Sequence, residues 1–248
     1  ISQLTDMGDH DTGDIRTWAP NQYRAYISDQ YLNSVDQALT TYKTEDYKEI
    51  LQNDKADLQL RPSLYDLLVD RAINHFAHDR SRIINPTFGF EIDDPKYCAK
   101  VDHFVKEEII TEDKESRYYQ ALTLYQEQLK RLIEERNYSV LADYDLKRLQ
   151  FVYYNSKMKD VDTVYISALN DAIEYHRGAM AHPFIIALAT YYHKKQEYSL
   201  ANSTLDRLKG EDLSLAIAAQ QNNLRERIFQ KDISIQTKEV ITRNEAFV

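Results

Sequence analysis

Residues 135–149, "ERNYSVLADYDLKRL", carry the pattern that decides the fold of this chain. A charged helix end is followed by a short turn, by Tyr138 and Ser139, and then by apolar residues at helical spacing. Residues 195–208, "KQEYSLANSTLDRL", repeat this order, and each stretch follows a segment with small and aromatic residues, "ALTLYQEQL" or "ALATYYHKK". The sequence therefore predicts pairs of helices that are joined by tight turns.

Helix–turn–helix pairs of this kind are typical of tetratricopeptide-like (TPR-like) solenoids. We predict an all-α fold, a TPR-like α–α superhelix of antiparallel helix pairs, with a short β segment at the C-terminus. Gly178 and Gly210 stand where a glycine commonly follows a helix end. The helices are expected at residues 117–136, 139–155, 161–177, 183–195, 198–209 and 212–230.

The preceding part of the chain also has helical periodicity. One helix is predicted from about Trp18 to Thr41, and a short one near residues 97–110. Residues 61–79, "RPSLYDLLVDRAINHFAHD", predict a strong helix whose apolar stripe contains Leu64, Leu68, Ala72 and Phe76. Residues 80–96 are predicted to form a long loop whose apolar side chains pack onto the helices.

The two ends of the chain differ from this helical body. Residues 1–14 are expected to form a disordered lead-in, followed by an N-terminal helical part (15–110) and a TPR-like part (111–231). Residues 232–248, "DISIQTKEVITRNEAFV", alternate apolar and polar side chains, which is the period of a strand. One or two strands cannot bury a face alone, so we expect this chain to be a piece of a larger protein.

Composition excludes several classes of partner. The net charge is −9, whereas a surface for nucleic acid or anionic lipid needs a basic footprint. No apolar run approaches the roughly 20 residues of a membrane span, so a membrane is expected only through an anchor outside this chain. The single cysteine, Cys98, allows no internal disulfide and is expected to be a structural residue.

The sequence contains no motif that carries catalytic chemistry. It lacks a glycine-rich phosphate loop and the HExxH, CxxC and GxSxG patterns. His75 and His78, beside Asp79, could bind a metal or simply complement a helix end, and His176 and His182 could form a catalytic pair or helix caps. We predict capping roles for these histidines, and therefore no catalytic, metal or cofactor residues and no enzyme activity. The adjacent glutamates are expected to be solvated, at Glu107, Glu108, Glu134 and Glu135.

Aromatic residues are the candidates for binding. The chain has 19 tyrosines, which suit helix–helix seams but also provide stacking surfaces for sugars. We expect any binding surface on the concave face of helices 117–230 together with the 80–96 loop. The candidate residues are Phe88, Phe90, Tyr191 and Tyr192.

Five segments of the helical body are distinctive when taken together: "DIRTWAPNQYRAYISDQYLNSV", "DYKEIL", "LRPSLYDLLVDRAINHF", "ALTLYQEQLKRLIEERN" and "DLKRLQFVYYNS". In this order they resemble the N-terminal helical region of bacterial α2-macroglobulin-family proteins, of the large, exported, helix-rich subgroup. The resemblance covers residues 14–230. It is specific because the segments occur in the same order and at the same spacing, although none of them is a catalytic motif.

The resemblance implies a role in protease trapping by the full-length protein, exported to the periplasm or the cell surface. Its protein partners would be proteases, through the full-length protein, and envelope proteins. β-Sandwich macroglobulin domains follow such helical regions, so residues 232–248 would be the first strands of that string. The family's thioester needs a Cys-x-Glu-Gln arrangement, but Cys98 is followed by Ala99, Lys100 and Val101, so no inhibitory residue can be assigned here.

Three functional hypotheses follow. The first is a non-catalytic helical scaffold or interaction domain of an exported α2-macroglobulin-like endopeptidase inhibitor. The second is a glycan-binding, TPR-like surface lipoprotein, for which the tyrosine content and the aromatic loop are the evidence. The third is an enzyme with a metal or carboxylate site on a helical bundle.

Overall fold

A computed structural model describes residues 15–51, 55–78 and 89–230, without the side chains of residues 55–57 and 78. All regular structure in these ranges is helical, and the extended pairing within them is limited to two isolated bridges. The all-α prediction is therefore confirmed. The predicted lead-in (1–14), the predicted strands (232–248) and most of the predicted 80–96 loop lie outside the described residues.

The helices follow one another with short connections. The α-helices are α1 (Pro20–Ser34), α2 (Lys55–Leu60), α3 (Leu64–His78), α4 (Val101–Phe104), α5 (Arg117–Glu134), α6 (Tyr138–Asn155), α7 (Val161–His176), α8 (His182–Lys194), α9 (Tyr198–Asp206) and α10 (Leu215–Phe229). Short 3₁₀ helices occur at Ile15–Thr17, Gln37–Thr41, Thr44–Tyr47, Pro95–Cys98 and Gly178–Ala181. The chain forms two compact units. The first ends at Phe184, and the second begins at Ile185. The predicted division near residue 110 stays a prediction.

The first predicted helix is shorter than expected, because α1 ends at Ser34 and does not reach Thr41. The Val35 amide donates to the carbonyl of Leu32, a tightened last turn. The Asp36 carboxylate then accepts a 2.9 Å hydrogen bond from the Ala38 amide and begins the separate 3₁₀ helix. An aspartate in this position favours a new helix start, so the prediction of one continuous helix is wrong. Likewise, the predicted helix at 97–110 contains only the end of the 3₁₀ helix Pro95–Cys98 and the four-residue α4.

The core of the first unit lies where α3 packs on α5 and α5 packs on α6. Proline at position 62 is accommodated just before the first turn of α3, where no intrahelical amide bond is lost. Ala72 and Phe76 from the predicted stripe are buried, but Leu64 and Leu68 are only half-buried. The side chains that α3 buries most completely also include Tyr65, Leu67, Val69 and Ile73. Leu64 and Leu68 consequently lie at the edge of this core.

In the second unit α10 packs on α9. The Arg225 guanidinium donates to Asn202 Oδ1 at 3.0 Å and to Asp206 Oδ1 at 2.8 Å. The Gln221 amide donates to the backbone carbonyl of Leu205 at 3.2 Å. These polar contacts flank the buried Leu205 and Leu224.

Candidate functional site

The turns after α5 and α8 have the same backbone geometry. Arg136 and Gln196 lie 60 residues apart and adopt positive φ angles of 57° and 62°. The next amide bonds back to the helix in both turns, from Asn137 to the Leu132 carbonyl and from Glu197 to the Tyr192 carbonyl, at 3.1 Å and 2.9 Å. This is the Schellman arrangement, in which a left-handed residue ends the helix. The predicted tight turns after these two helices are confirmed, whereas the TPR-like superhelix stays a prediction.

Ten buried positions repeat with the same 60-residue offset, whereas others do not: Val140 is buried but Leu200 is exposed. Before the turns, the matched buried pairs are Ala121/Ala181, Leu122/His182, Leu124/Phe184, Tyr125/Ile185, Gln128/Leu188 and Leu129/Ala189; Ala181 directly precedes α8. After the turns, they are Leu141/Ala201, Tyr144/Thr204, Asp145/Leu205 and Arg148/Leu208; Leu208 lies just beyond the end of α9. The two pairs therefore share an inward face as well as a turn. Gln128, Asp145 and Arg148 are polar where the later pair has leucine.

Asp145 and Arg148 belong to a fully buried polar cluster in the first unit. Arg148 donates to Asp145 Oδ1 from Nε and Nη2, and its Nη1 and Nη2 also donate to the carbonyls of Tyr97 and Ala99. His176 Nε2 lies 2.8 Å from Asp145 Oδ2, and its ring stacks on Phe184. Burial alone would raise the pKa of Asp145, but Arg148 and His176 outweigh it and the pKa is lowered.

A second ionic cluster joins α3 to α6 through Arg61. Its Nη2 donates to Asp70 Oδ1 at 2.6 Å and to Asp143 Oδ2 at 2.8 Å. Lys147 contacts both carboxylates, and the Arg61 guanidinium lies over the Tyr144 ring. Burial alone would raise the pKa of Asp70. Arg61 and Lys147 have a larger opposite effect, so the pKa falls below its ordinary value.

A third cluster surrounds Asp66 near the start of α3. Its carboxylate accepts from the amide and hydroxyl of Ser63 and from Gln128 Nε2 at 2.8 Å. The Asp66 amide in turn donates to Ser63 Oγ, which caps the helix. Arg131 completes the site with an ion pair to the same carboxylate. The carboxylates of these three clusters are paired with cationic or amide donors. The clusters join α3 to α5 and α6, and they join α6 to α7.

The cysteine and histidines singled out from the sequence lie in packed surroundings. His75 stacks on Tyr31 with ring centroids 4.3 Å apart, His176 is bound to Asp145, and burial raises the pKa of Cys98 to about 11. The side chain of His78 and residue Asp79 lie outside the described part. No group of three or more His, Cys, Asp or Glu side chains within that part could hold a metal ion.

The four predicted binding residues fall in different parts of the chain. Phe88 lies outside the described residues. Phe90 is half-buried in the first unit, edge-to-face with Tyr97 and Tyr119 at 5.9 Å and 6.1 Å. In the second unit Tyr191 is buried and Tyr192 is half-buried beside it. Ligand binding by these four residues stays a prediction.

A groove between α1 and α3 is a candidate site that the sequence did not indicate. It has a volume of about 310 Å³ and is lined by Ile27, Gln30, Tyr31, Ser34, Leu68 and Arg71. We refer to it as the α1–α3 groove. The apolar stripe of α3 was visible in the sequence, but the groove beside it was not, because a groove depends on how two helices pack.

None of the helices in the described ranges has the length and apolarity that a bilayer crossing requires. A search of protein-family models, curated proteins and solved structures found no match to this chain.

Proposed function

We propose that this chain is a non-catalytic helical scaffold and interaction domain of an exported α2-macroglobulin-like protease-trap protein. The observation that carries the proposal is the repeated helix–turn–helix geometry at Arg136 and Gln196, with matched buried faces 60 residues apart. Repeated pairs of this kind build TPR-like superhelices, whose long surfaces serve protein–protein recognition. The family assignment rests on the sequence resemblance over residues 14–230.

The buried ionic clusters favour a scaffold role. Their carboxylates are bound to Arg61, Arg131 and Arg148, so their charges are used to hold helices in register. A scaffold needs this rigidity, since a preformed surface loses less conformational entropy when a partner binds. Proteases would be partners through the full-length protein, in the periplasm or at the cell surface.

The first test is the reading frame on both sides of this chain. Under the proposal, the frame continues past Val248 into repeated β-sandwich patterns, and an export signal or lipobox lies upstream. A full-length protein of this kind should trap an endopeptidase after cleavage, whereas the present chain alone should not inhibit it. A stop codon directly after Val248 would overturn the family assignment.

A glycan-binding, TPR-like surface lipoprotein is the alternative. Two exposed tyrosines at equivalent repeat positions, Tyr138 and Tyr198, favour it, because exposed aromatic rings can stack on sugars. Glycan binding in calorimetry that is lost on Tyr138→Ala or Tyr198→Ala would support this alternative, and no binding across a broad glycan panel would exclude it.

A further inference from the structure

The α1–α3 groove has a shape that can bind a third helix. Ile27, Gln30, Tyr31 and Ser34 follow the i, i+3, i+4, i+7 spacing, so they form one face of α1 that extends about 10 Å. Leu68 and Arg71 form the opposite wall on α3. Two neighbouring helices with apolar side chains between them leave a groove into which the ridge of another helix fits.

The face of α1 that lines the groove is only partly covered by the described residues. Although α1 packs on α3, none of its side chains is buried, and Ile27 is 41% exposed. The stack of Tyr31 on His75 holds the tyrosine ring in the groove wall. An apolar surface that is preformed and open in this way gains from covering by another apolar side chain.

The charges at the groove favour an acidic occupant. The Arg71 guanidinium is exposed and makes no hydrogen bond or ion pair within the described residues. The carboxylates on the same helices lie elsewhere: Asp66 and Asp70 are bound to Arg131 and Arg61, and Asp29 is on the far side of α1 from Ile27. Asp36 lies past the groove end and caps the next turn. The groove is therefore cationic on a chain whose net charge is −9.

We propose that the α1–α3 groove binds an acidic amphipathic helix of a partner protein. Apolar side chains of that helix lie between Ile27, Tyr31 and Leu68, and a carboxylate pairs with Arg71. This inference rests on the proposed function and names the class of partner that the scaffold receives.

The test uses the whole chain and two synthetic helical peptides of about 14 residues. Both carry leucine at i, i+3, i+4 and i+7, and one has glutamate where the other has lysine. By titration calorimetry we expect the glutamate peptide to bind. Arg71→Glu should weaken that binding by about tenfold or more and give measurable binding of the lysine peptide. Ile27→Gln should weaken the binding of the glutamate peptide. Arg136→Glu, at an exposed arginine on the α5–α6 turn, is the matched control.

Circular dichroism of each variant shows whether it folds, and both groove positions are exposed enough to accept substitution. Equal affinity for the two peptides, no binding of either, or an unchanged preference in Arg71→Glu would overturn the proposal. The proposal would also be overturned if a peptide that comprises residues 79–90 or 231–248 binds more tightly than the glutamate peptide. The same holds if the chain forms a dimer that is lost in Ile27→Gln. In both cases the chain itself would be the occupant of the groove. A continuing reading frame with failed peptide binding leaves the proposed function intact and removes only this partner.

Discussion

Arg148 Nη2 lies 2.6 Å from Asp145 Oδ1, in a pair of side chains almost completely removed from water. The matched positions in the later helix pair are leucines, Leu208 and Leu205. The same inward face therefore accepts either an ion pair or two apolar side chains. What distinguishes the first unit is that Arg148 also supplies donors to the carbonyls of Tyr97 and Ala99.

This relationship predicts strong coupling between the two positions. Asp145→Leu or Arg148→Leu alone should lower the free energy of unfolding by about 3–5 kcal/mol, because each leaves an uncompensated buried charge. The decrease in the free energy of unfolding of the double variant should be smaller than the sum of the two single decreases, by at least about 1 kcal/mol. Urea denaturation of the four proteins measures this, and additive losses would contradict a buried pair.

Acid should unfold the chain through Asp70 and Asp145. Both carboxyls have lowered pKa values in the folded state, so the folded state binds their protons less readily than the unfolded state does. Their stabilising effect is complete above the ordinary carboxyl pKa of 3.8 and is lost as the pH falls below it, through the lowered folded-state values. The unfolding free energy measured against pH should show this decline, and Asp70→Asn should make it shallower. An identical slope in that variant would argue against the Arg61 contact.

Glycine at the two matched turns should stabilise the protein. Arg136 and Gln196 are exposed and hold φ values of 57° and 62°, which cost a residue with a Cβ atom roughly 1–2 kcal/mol. The greater entropy of glycine in the unfolded chain offsets part of this relief. Arg136→Gly and Gln196→Gly should therefore each raise the free energy of unfolding by roughly 0.5–1 kcal/mol. Glu134→Gly, at a helical position of α5, should instead destabilise. Thermal unfolding distinguishes the opposite signs.

The buried thiol should report unfolding. Burial raises the pKa of Cys98 to about 11, with a smaller opposing effect of Arg148, so only roughly 0.1% is thiolate at pH 8. Cys98 is also shielded from reagents, so an aromatic disulfide reagent should react very slowly with native protein and rapidly in guanidinium chloride. Fast labelling of the native chain would show that the region around Pro95–Cys98 opens readily.

The sequence predicted the helical class and the repeated turns, because apolar spacing and turn composition are local properties. It did not predict that α1 ends at Ser34, since the Asp36 cap competes with continued apolar periodicity over Val35 and Leu39. The ionic clusters were also missed. Asp143 and Arg61 are 82 residues apart, and only tertiary packing brings them together.

The candidate site was even less accessible to sequence reasoning. The aromatic candidates were chosen for their chemistry, but Phe90 and Tyr191 are engaged in local packing. Arg71 carries no sequence signal, because an arginine on an amphipathic helix is ordinary. Its significance comes from the neighbouring wall of α1, which depends on how two helices pack.

The backbone at Arg177 has an evolutionary consequence. Its φ of 51° and ψ of 158° lie in a region that is essentially restricted to glycine. Every arginine codon becomes a glycine codon by one first-position substitution, so relief of this strain has been a single mutation away. Natural selection removes only those chains that fall below a stability threshold, and a chain above it can keep such a residue indefinitely. Directed evolution for heat resistance should therefore find glycine at position 177 among its earliest solutions.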